Sequence, residues 1–345
     1  MLFIAITENF NQGFSLTFNS MKRIQKHYLL GLALSFGFMV SNLMAQTPSD
    51  AIMMRQKEFC IVGAYDHSWF DHYWEGTYLR TNGTIATVKR DVYTAGLAIG
   101  IFDQLNIIAS APYVKTYSTD PNGGHFIGAK GIQDLNLALK WQIIKNQVGP
   151  GKLYLLTTAG FGTRLTNYLS DYRPYSIGNG TTEYSLRGIV QYKFDNGLYA
   201  RGSGAYLLRG QTKAERDYYY NNGSYYTPWM DVPSAWTYNG VVGILLLDNY
   251  LKVEANYVGQ RSTSGDDIRA YNAAQPTNKV NFDQVGASVQ YYFKKFVPGL
   301  SLFANYSQVV NGRNLGKSSQ YGFGITYQSG IFQYAAEENN GSTGK

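Results

Sequence analysis

The chain has 345 residues with a formal charge of +7; only 15% are charged and 15% are aromatic, and glycine (37) and tyrosine (30) are abundant. This composition has strand and turn chemistry without the signature of a disordered chain, and the basic residues are dispersed, which excludes a polybasic nucleic-acid surface. Cys60 is the only cysteine, so no intramolecular disulfide can form and stability must come from the sheet.

Residues 1–20 read as an over-called start, with a genuine extension as the alternative, because a basic n-region begins at Met21. Lys22, Arg23 and Lys26 precede an apolar run over 28–40, and Leu43, Met44 and Ala45 offer a small-residue cleavage point before Gln46. Residues 21–45 are therefore expected to be a secretory signal peptide. Beyond Gln46 no stretch approaches the ~18 consecutive apolar residues of a membrane helix, so any crossing must use strands. Residues 46–57 form a short periplasmic segment in which Ala51, Ile52, Met53 and Met54 are either an apolar latch in a barrel floor or a disordered lead-in.

From there, period-two alternation recurs along the chain. Its clearest instance sets Tyr184, Leu186, Val190, Tyr192 and Phe194 against Glu183, Ser185, Arg187, Gln191 and Lys193. One phase suits lipid and the other water, as barrel strands require. The pattern predicts twelve strands, with cores at 59–66, 91–102, 104–117, 132–144, 153–167, 182–194, 198–211, 234–247, 251–260, 282–294, 300–310 and 319–328. The expected fold is an all-β, transmembrane antiparallel barrel of outer-membrane type over 58–334, followed by a polar tail over 335–345. A soluble sandwich is disfavoured because the polar phase is charged or amidated on most strands, leaving little for a second packed face. Short connections alternate with long ones, which predicts periplasmic turns, extracellular loops and periplasmic termini. Tyr113, Trp141, Tyr184, Tyr192, Tyr257, Tyr291 and Tyr327 fit interfacial girdles. In the last strand Gln320, Gly322, Ile325 and Tyr327 resemble the signal read by the outer-membrane insertion machinery, an expected partner along with outer-membrane lipid.

Gly100, Ile101, Phe102, Asp103, Gln104 and Leu105, running on to Ala111, Pro112, Tyr113 and Val114, resemble a "GLTDRL…LPYV" signature. Gly131, Ile132, Gln133, Asp134, Leu135, Leu137, Leu139 and Lys140 resemble the "GLGDLxLxLKY" strand that follows it. Both belong to the outer-membrane transporters associated with the meta pathway of phenol degradation, a group related to fatty-acid and aromatic-hydrocarbon uptake barrels. The resemblance implies a channel for small hydrophobic or aromatic compounds. Glycine is usual where Gln133 stands, and tyrosine where Trp141 stands. Asp103 reads as a turn residue closing a hairpin.

The lumen phase collects Asp134, Lys140, Arg164, Arg187, Arg201, Arg209, Lys252 and Glu254, a basic excess that either favours anionic solutes or is neutralised in a packed interior. Asp134 and Lys140 are too far apart to touch, so each is expected to pair with charges on neighbouring strands. Trp69 and Trp74 in the first loop and Tyr219, Tyr226 and Trp229 in the fourth could capture a ligand or merely pack the loops. Asp66, Asp71 and Glu75 near His67 and His72 could hold a metal, though a solvated acidic loop explains them more simply. No nucleophile, base and acid follow a recognisable spacing, so neither an enzyme nor a cofactor is implied, and nucleic acid is not an expected partner. The reading is a passive channel for small solutes, with a nonconducting surface barrel that binds a partner or polysaccharide as the alternative and a barrel hydrolase third.

Overall fold

The computed structural model describes residues 46–83, 86–119, 128–269 and 273–330. The expected signal peptide and polar tail lie outside them. Twelve long antiparallel strands form the wall: β1 (Glu58–Phe70), β2 (Val88–Phe102), β3 (Leu105–Ser118), β4 (Asp134–Val148), β5 (Gly151–Arg164), β6 (Glu183–Phe194), β7 (Leu198–Arg209), β8 (Ala235–Leu246), β9 (Leu251–Ser262), β10 (Asn281–Tyr292), β11 (Leu300–Arg313) and β12 (Ser319–Gly330). Each strand pairs with its neighbours in sequence, and β1 pairs with both β2 and β12, so the sheet closes on itself and has no edge. Every expected strand is present, its ends shifted by a few residues.

Alternation decides which side chain faces which solvent. On β6, Tyr184, Leu186 and Val190 are exposed on the outer wall while Ile189 is buried within. Ile61, Leu97, Leu139, Val242, Val289 and Ile325 continue the outer face round the barrel. So much exposed apolar surface is tolerated because its solvent is acyl chain. Outward rings form two belts: Tyr93, Tyr113, Tyr184, Trp236 and Tyr321 lie toward the long-loop end, and Trp141, Tyr192, Phe194 and Tyr291 toward the short-turn end. Among the described residues there is no helix.

Short turns are built tightly. At Gly197 (φ +91°) a Cβ would lie 2.6 Å from the Leu245 carbonyl oxygen, so the β6–β7 turn takes glycine there. The long loops have structure of their own. The loop after β1 is a hairpin of His72–Glu75 with Tyr78–Thr81, and the loop after β7 contains Gln211–Lys213 paired with Trp229–Asp231 and Tyr219–Tyr220 paired with Ser224–Tyr225. Asn314 clasps three loops together: its Oδ1 accepts from the Gly76 N–H (2.9 Å) and the Ile268 N–H (3.0 Å), and its Nδ2 donates to Asp267 Oδ1 (2.8 Å). Arg313 holds the same Asp267 through two nitrogens at 2.7 and 2.5 Å, and these hydrogen bonds draw the Asp267 carboxyl down to about 2.

Candidate functional site

Different pieces of chain enter the interior of the barrel from its two ends. At the short-turn end, residues 46–57 enter the lumen. Met54 is buried among Cys60, Ala98, Ile108 and Ala138, and Ala51 packs against Leu156 and Ile189. These apolar side chains lie on the largely polar inner phase, and they form two sockets for the segment. Where the segment crosses β2, a Cβ at Gly100 would stand 2.0 Å from the Arg55 carbonyl oxygen, so only glycine lets it pass. The Gly100 carbonyl accepts from the Lys57 N–H (2.9 Å), and Asp103 Oδ1 accepts from the Gln56 N–H (2.8 Å). The Gly100–Asp103 stretch is thus a docking site for the segment as well as a hairpin end.

The centre of the plug is an ion pair. Lys140, fully buried on β4, donates to Asp50 Oδ1 at 2.5 Å and to the Thr47 carbonyl at 2.8 Å. The Asp50 carboxylate also accepts from the Thr47 backbone N–H, from Thr47 Oγ1 (2.7 Å) and from the Ile52 N–H (2.8 Å). Burial alone would raise the Asp50 carboxyl, but Lys140, Arg201 and these donors outweigh it and hold it below its usual value. Thr158 Oγ1 donates to the Pro48 carbonyl (3.0 Å), and the carboxamides of Asn106 and Gln46 meet at 2.8 Å.

The inner wall beside the plug and toward the long-loop end carries a basic belt. Glu254 is shared by Arg201 (3.3 Å), the Tyr199 hydroxyl (2.7 Å) and Lys252 (3.6 Å). Arg209 pairs with Glu183 (2.7 Å), whereas Arg187 has only the Ser203 hydroxyl (3.1 Å). Arg164 is joined to no carboxylate among the described residues. A cavity of about 120 Å³ remains here, lined by Pro48 of the plug with Asn136, Thr158, Glu183, Ser185 and Arg187.

Residues 165–182 roof the long-loop end. The Tyr168 hydroxyl donates to Asp134 Oδ1 (2.6 Å), Thr116 Oγ1 to the Tyr175 carbonyl (2.6 Å), Arg90 to the Ile177 carbonyl (2.9 Å) and Thr212 Oγ1 to Ser170 Oγ (2.8 Å). Tyr175 and Ile177 are buried by this fold-back. Arg173 of the roof is pushed down to about 10, first by burial and then by the nearby Arg90. With Arg209 it lines a second cavity of about 190 Å³ at the mouth.

The structure gathers the expected lumen residues on the inner wall, but it corrects two of their partners. Lys140 pairs with the N-terminal segment and Asp134 with a roof tyrosine, and neither with a charge on a neighbouring strand. Cross-strand neighbours explain the lysine, which faces Asn106 and Thr158, both neutral; Asp134 lies in register with Arg164 on β5, yet its carboxylate is taken by the Tyr168 hydroxyl. Asp50, Gly100 and Arg173 escaped the sequence reading. The unmatched lysine and the apolar residues on the inner phase were their only signal.

Among the loop aromatics, Tyr226 (84% exposed) and Trp229 are exposed, Tyr226 with its ring 5.1 Å from that of Tyr218, while Tyr219 is buried in a stack on Tyr225 and Trp74 is buried against Gly312. Trp69 is not a loop residue. It ends β1 on the outer wall beside His67, because the outward aromatic phase of that strand runs on past Asp66. His67 likewise lies in β1, its Nδ1 2.7 Å from Asp91 Oδ1, with no serine hydroxyl bonded to it among the described residues. His72 pairs with Asp71 and Glu75 with Arg80, and no metal-holding cluster forms among the described residues.

No family model matches the chain, and no curated protein matches it. Solved structures do. An outer-membrane channel from Pseudomonas putida F1 is 11% identical at a TM-score of 0.66, covering 83% of this chain and all of that one. This likeness shows the fold: a twelve-stranded barrel of the outer-membrane type. Looser likenesses, which carry no weight here, are the translocator domain of the autotransporter NalP from Neisseria meningitidis (13% identity, TM-score 0.43, 92% and 97% of the two chains) and a FadL homologue from Pseudomonas aeruginosa (12%, 0.38, 80% and 91%).

Proposed function

We propose that this chain is a passive outer-membrane channel for small solutes, with its long loops outside and both termini in the periplasm, and that residues 46–57 are its gate. The observation that carries this reading is the plug itself. A segment fastened by a buried ion pair, two apolar sockets and a glycine crossing occupies the path that a solute would take. A barrel with a merely structural interior needs no such removable filling. The orientation rests on the asymmetry of short turns and long loops.

The path beyond the plug is polar and basic, with Arg187, Arg201, Arg209 and Arg173 facing few carboxylates, which favours solutes that carry an acidic group. The exposed rings of Tyr226 and Trp229 at the mouth suit the aromatic or hydrophobic body that the motif resemblance implies. Small aromatic carboxylates satisfy both. Vesicles reconstituted with the protein should admit benzoate faster than the benzylammonium cation of similar size, each above the rate of protein-free vesicles, once the plug is released; equal rates would remove the acidic-solute assignment. The same two rings favour the alternative of a nonconducting surface binder, and that alternative gains if no variant conducts.

A further inference from the structure

Charge on the lipid-facing phase of the wall is confined to the long-loop end. Arg261 is bound there by Asp283 (2.7 Å) and Arg313 by Asp267, while Asp91 is enclosed by the Tyr65 hydroxyl (2.9 Å) and His67 Nδ1 (2.7 Å). Three cations remain. Lys89 on β2, Lys115 on β3 and Lys130 on the short strand Lys130–Ile132 share the outward phase on adjacent strands: Lys115 lies opposite Lys130, and Lys89 lies opposite Tyr117, two residues along from Lys115. No ion pair joins any of them among the described residues; Lys115 Nζ has the Tyr117 ring at 5.1 Å. Among the described residues the rest of the circumference has no counterpart to this group.

We propose that Lys89, Lys115 and Lys130 form a binding site for a phosphorylated glycolipid of the outer leaflet, a glucosamine lipid carrying two phosphates. Strands spaced about 4.8 Å apart set the stems side by side, and long flexible stems let the ammonium groups reach up to headgroup depth. Unpaired cations on a lipid-facing wall are costly unless an anion meets them, and the headgroup layer supplies one. The flanking outward rings of Trp69, Tyr93, Tyr113 and Tyr321 place the site at the membrane interface, where sugar and acyl chain meet. A diphosphorylated headgroup matches three cations better than a single phosphodiester does. The assignment rests on the proposed orientation but not on the channel or its gate.

The test is native mass spectrometry of the purified, folded protein with bisphosphorylated lipid A, its dephosphorylated form, phosphatidylglycerol or inorganic phosphate. Bisphosphorylated lipid A should be retained preferentially, and K89Q/K115Q/K130Q should weaken retention roughly a hundredfold, from a factor of about five per lysine. K115Q alone should show a several-fold loss, so the result does not depend on the triple variant folding. The charge-matched control K145Q/K152Q/K213Q should bind as the parent does. Equal binding by the two triple variants, equal retention of phosphatidylglycerol, or displacement by inorganic phosphate at equal concentration would each overturn the proposal. Labelling of Tyr226→Cys by an impermeant maleimide on intact cells tests the orientation separately. Failure to label with lipid binding intact would overturn the orientation and the leaflet while leaving the lysine site standing.

Discussion

At the short-turn end the lumen is filled by residues 46–57, joined to the wall at β1 and, given the expected cleavage before Gln46, free at the other end. At the long-loop end it is roofed by residues 165–182, fixed on one side by β5 and on the other by β6. Their fastenings differ as much as their attachments. The plug is held by a fully buried ion pair, two apolar sockets and hydrogen bonds to Gly100, Asp103, Asn106 and Thr158, whereas the roof is held by hydrogen bonds from β2, β3, β4 and the loop after β7 and by a half-exposed ion pair of Asp171 with Arg216 (3.0 Å). The plug's ion pair is fully buried, so its loss is costly, whereas the roof is joined to the wall at both ends and loses less with any one bond.

The sharpest way to break that contrast is Lys140→Ala. It leaves the Asp50 carboxylate buried without its cation, a loss of about 3–5 kcal/mol, enough to undock the segment. Hydrogen exchange at 46–57 should rise by orders of magnitude while the roof stays protected. The pair of changes Lys140→Met and Asp50→Leu should restore most of that protection, because no buried charge is left alone. Unchanged exchange in Lys140→Ala would mean that the sockets alone hold the segment.

On the roof side, Tyr168→Phe removes the hydrogen bond to Asp134 and the one its oxygen accepts from the Gly180 N–H (2.9 Å), and should cost about 2–3 kcal/mol, visible as a rise in exchange over 165–182 with the plug untouched. Arg187→Ala acts between the two regions. In a plug-released background it should lower the anion-to-cation permeability ratio in reversal-potential measurements, and a ratio that stays the same would remove Arg187 from the path.

Acid should reach the plug and the loop clasp around Asn314 with the same sign. The Asp50 and Asp267 carboxyls lie below their usual value of 3.8, so each contributes stability that is complete above that value and is lost as pH falls through the lower folded value, about 2 for Asp267. Protease resistance of the loops around Asn314 should therefore hold from pH 7 to about 4 and decline toward pH 2, and Asp267→Asn should remove that dependence.

The wall was legible in the sequence because lipid and water demand opposite residues at alternate positions, a constraint repeated on all twelve strands. The plug was half legible. Ala51 to Met54 announced an apolar latch, and Ile189, placed on the same phase as Arg187, had no reason to be apolar unless something apolar faced it. What alternation could not show is which segment supplies that partner, because Asp50 and Lys140 are brought together only by closure of the barrel. The roof was not legible: Ser170, Tyr175 and Ile177 suit an exposed loop as well as a buried one, and the bonds that draw them inward come from Arg90, Thr116 and Thr212, which are far away in the chain.

Single-channel conductance of the parent chain against Gly100→Leu in planar bilayers tests the central claim most directly. The substitution puts a side chain where the Arg55 carbonyl now passes and leaves the outer wall as it is. The account predicts a parent that is closed or conducts little and a variant that conducts steadily; equal conductance in the two would show that residues 46–57 do not gate the barrel.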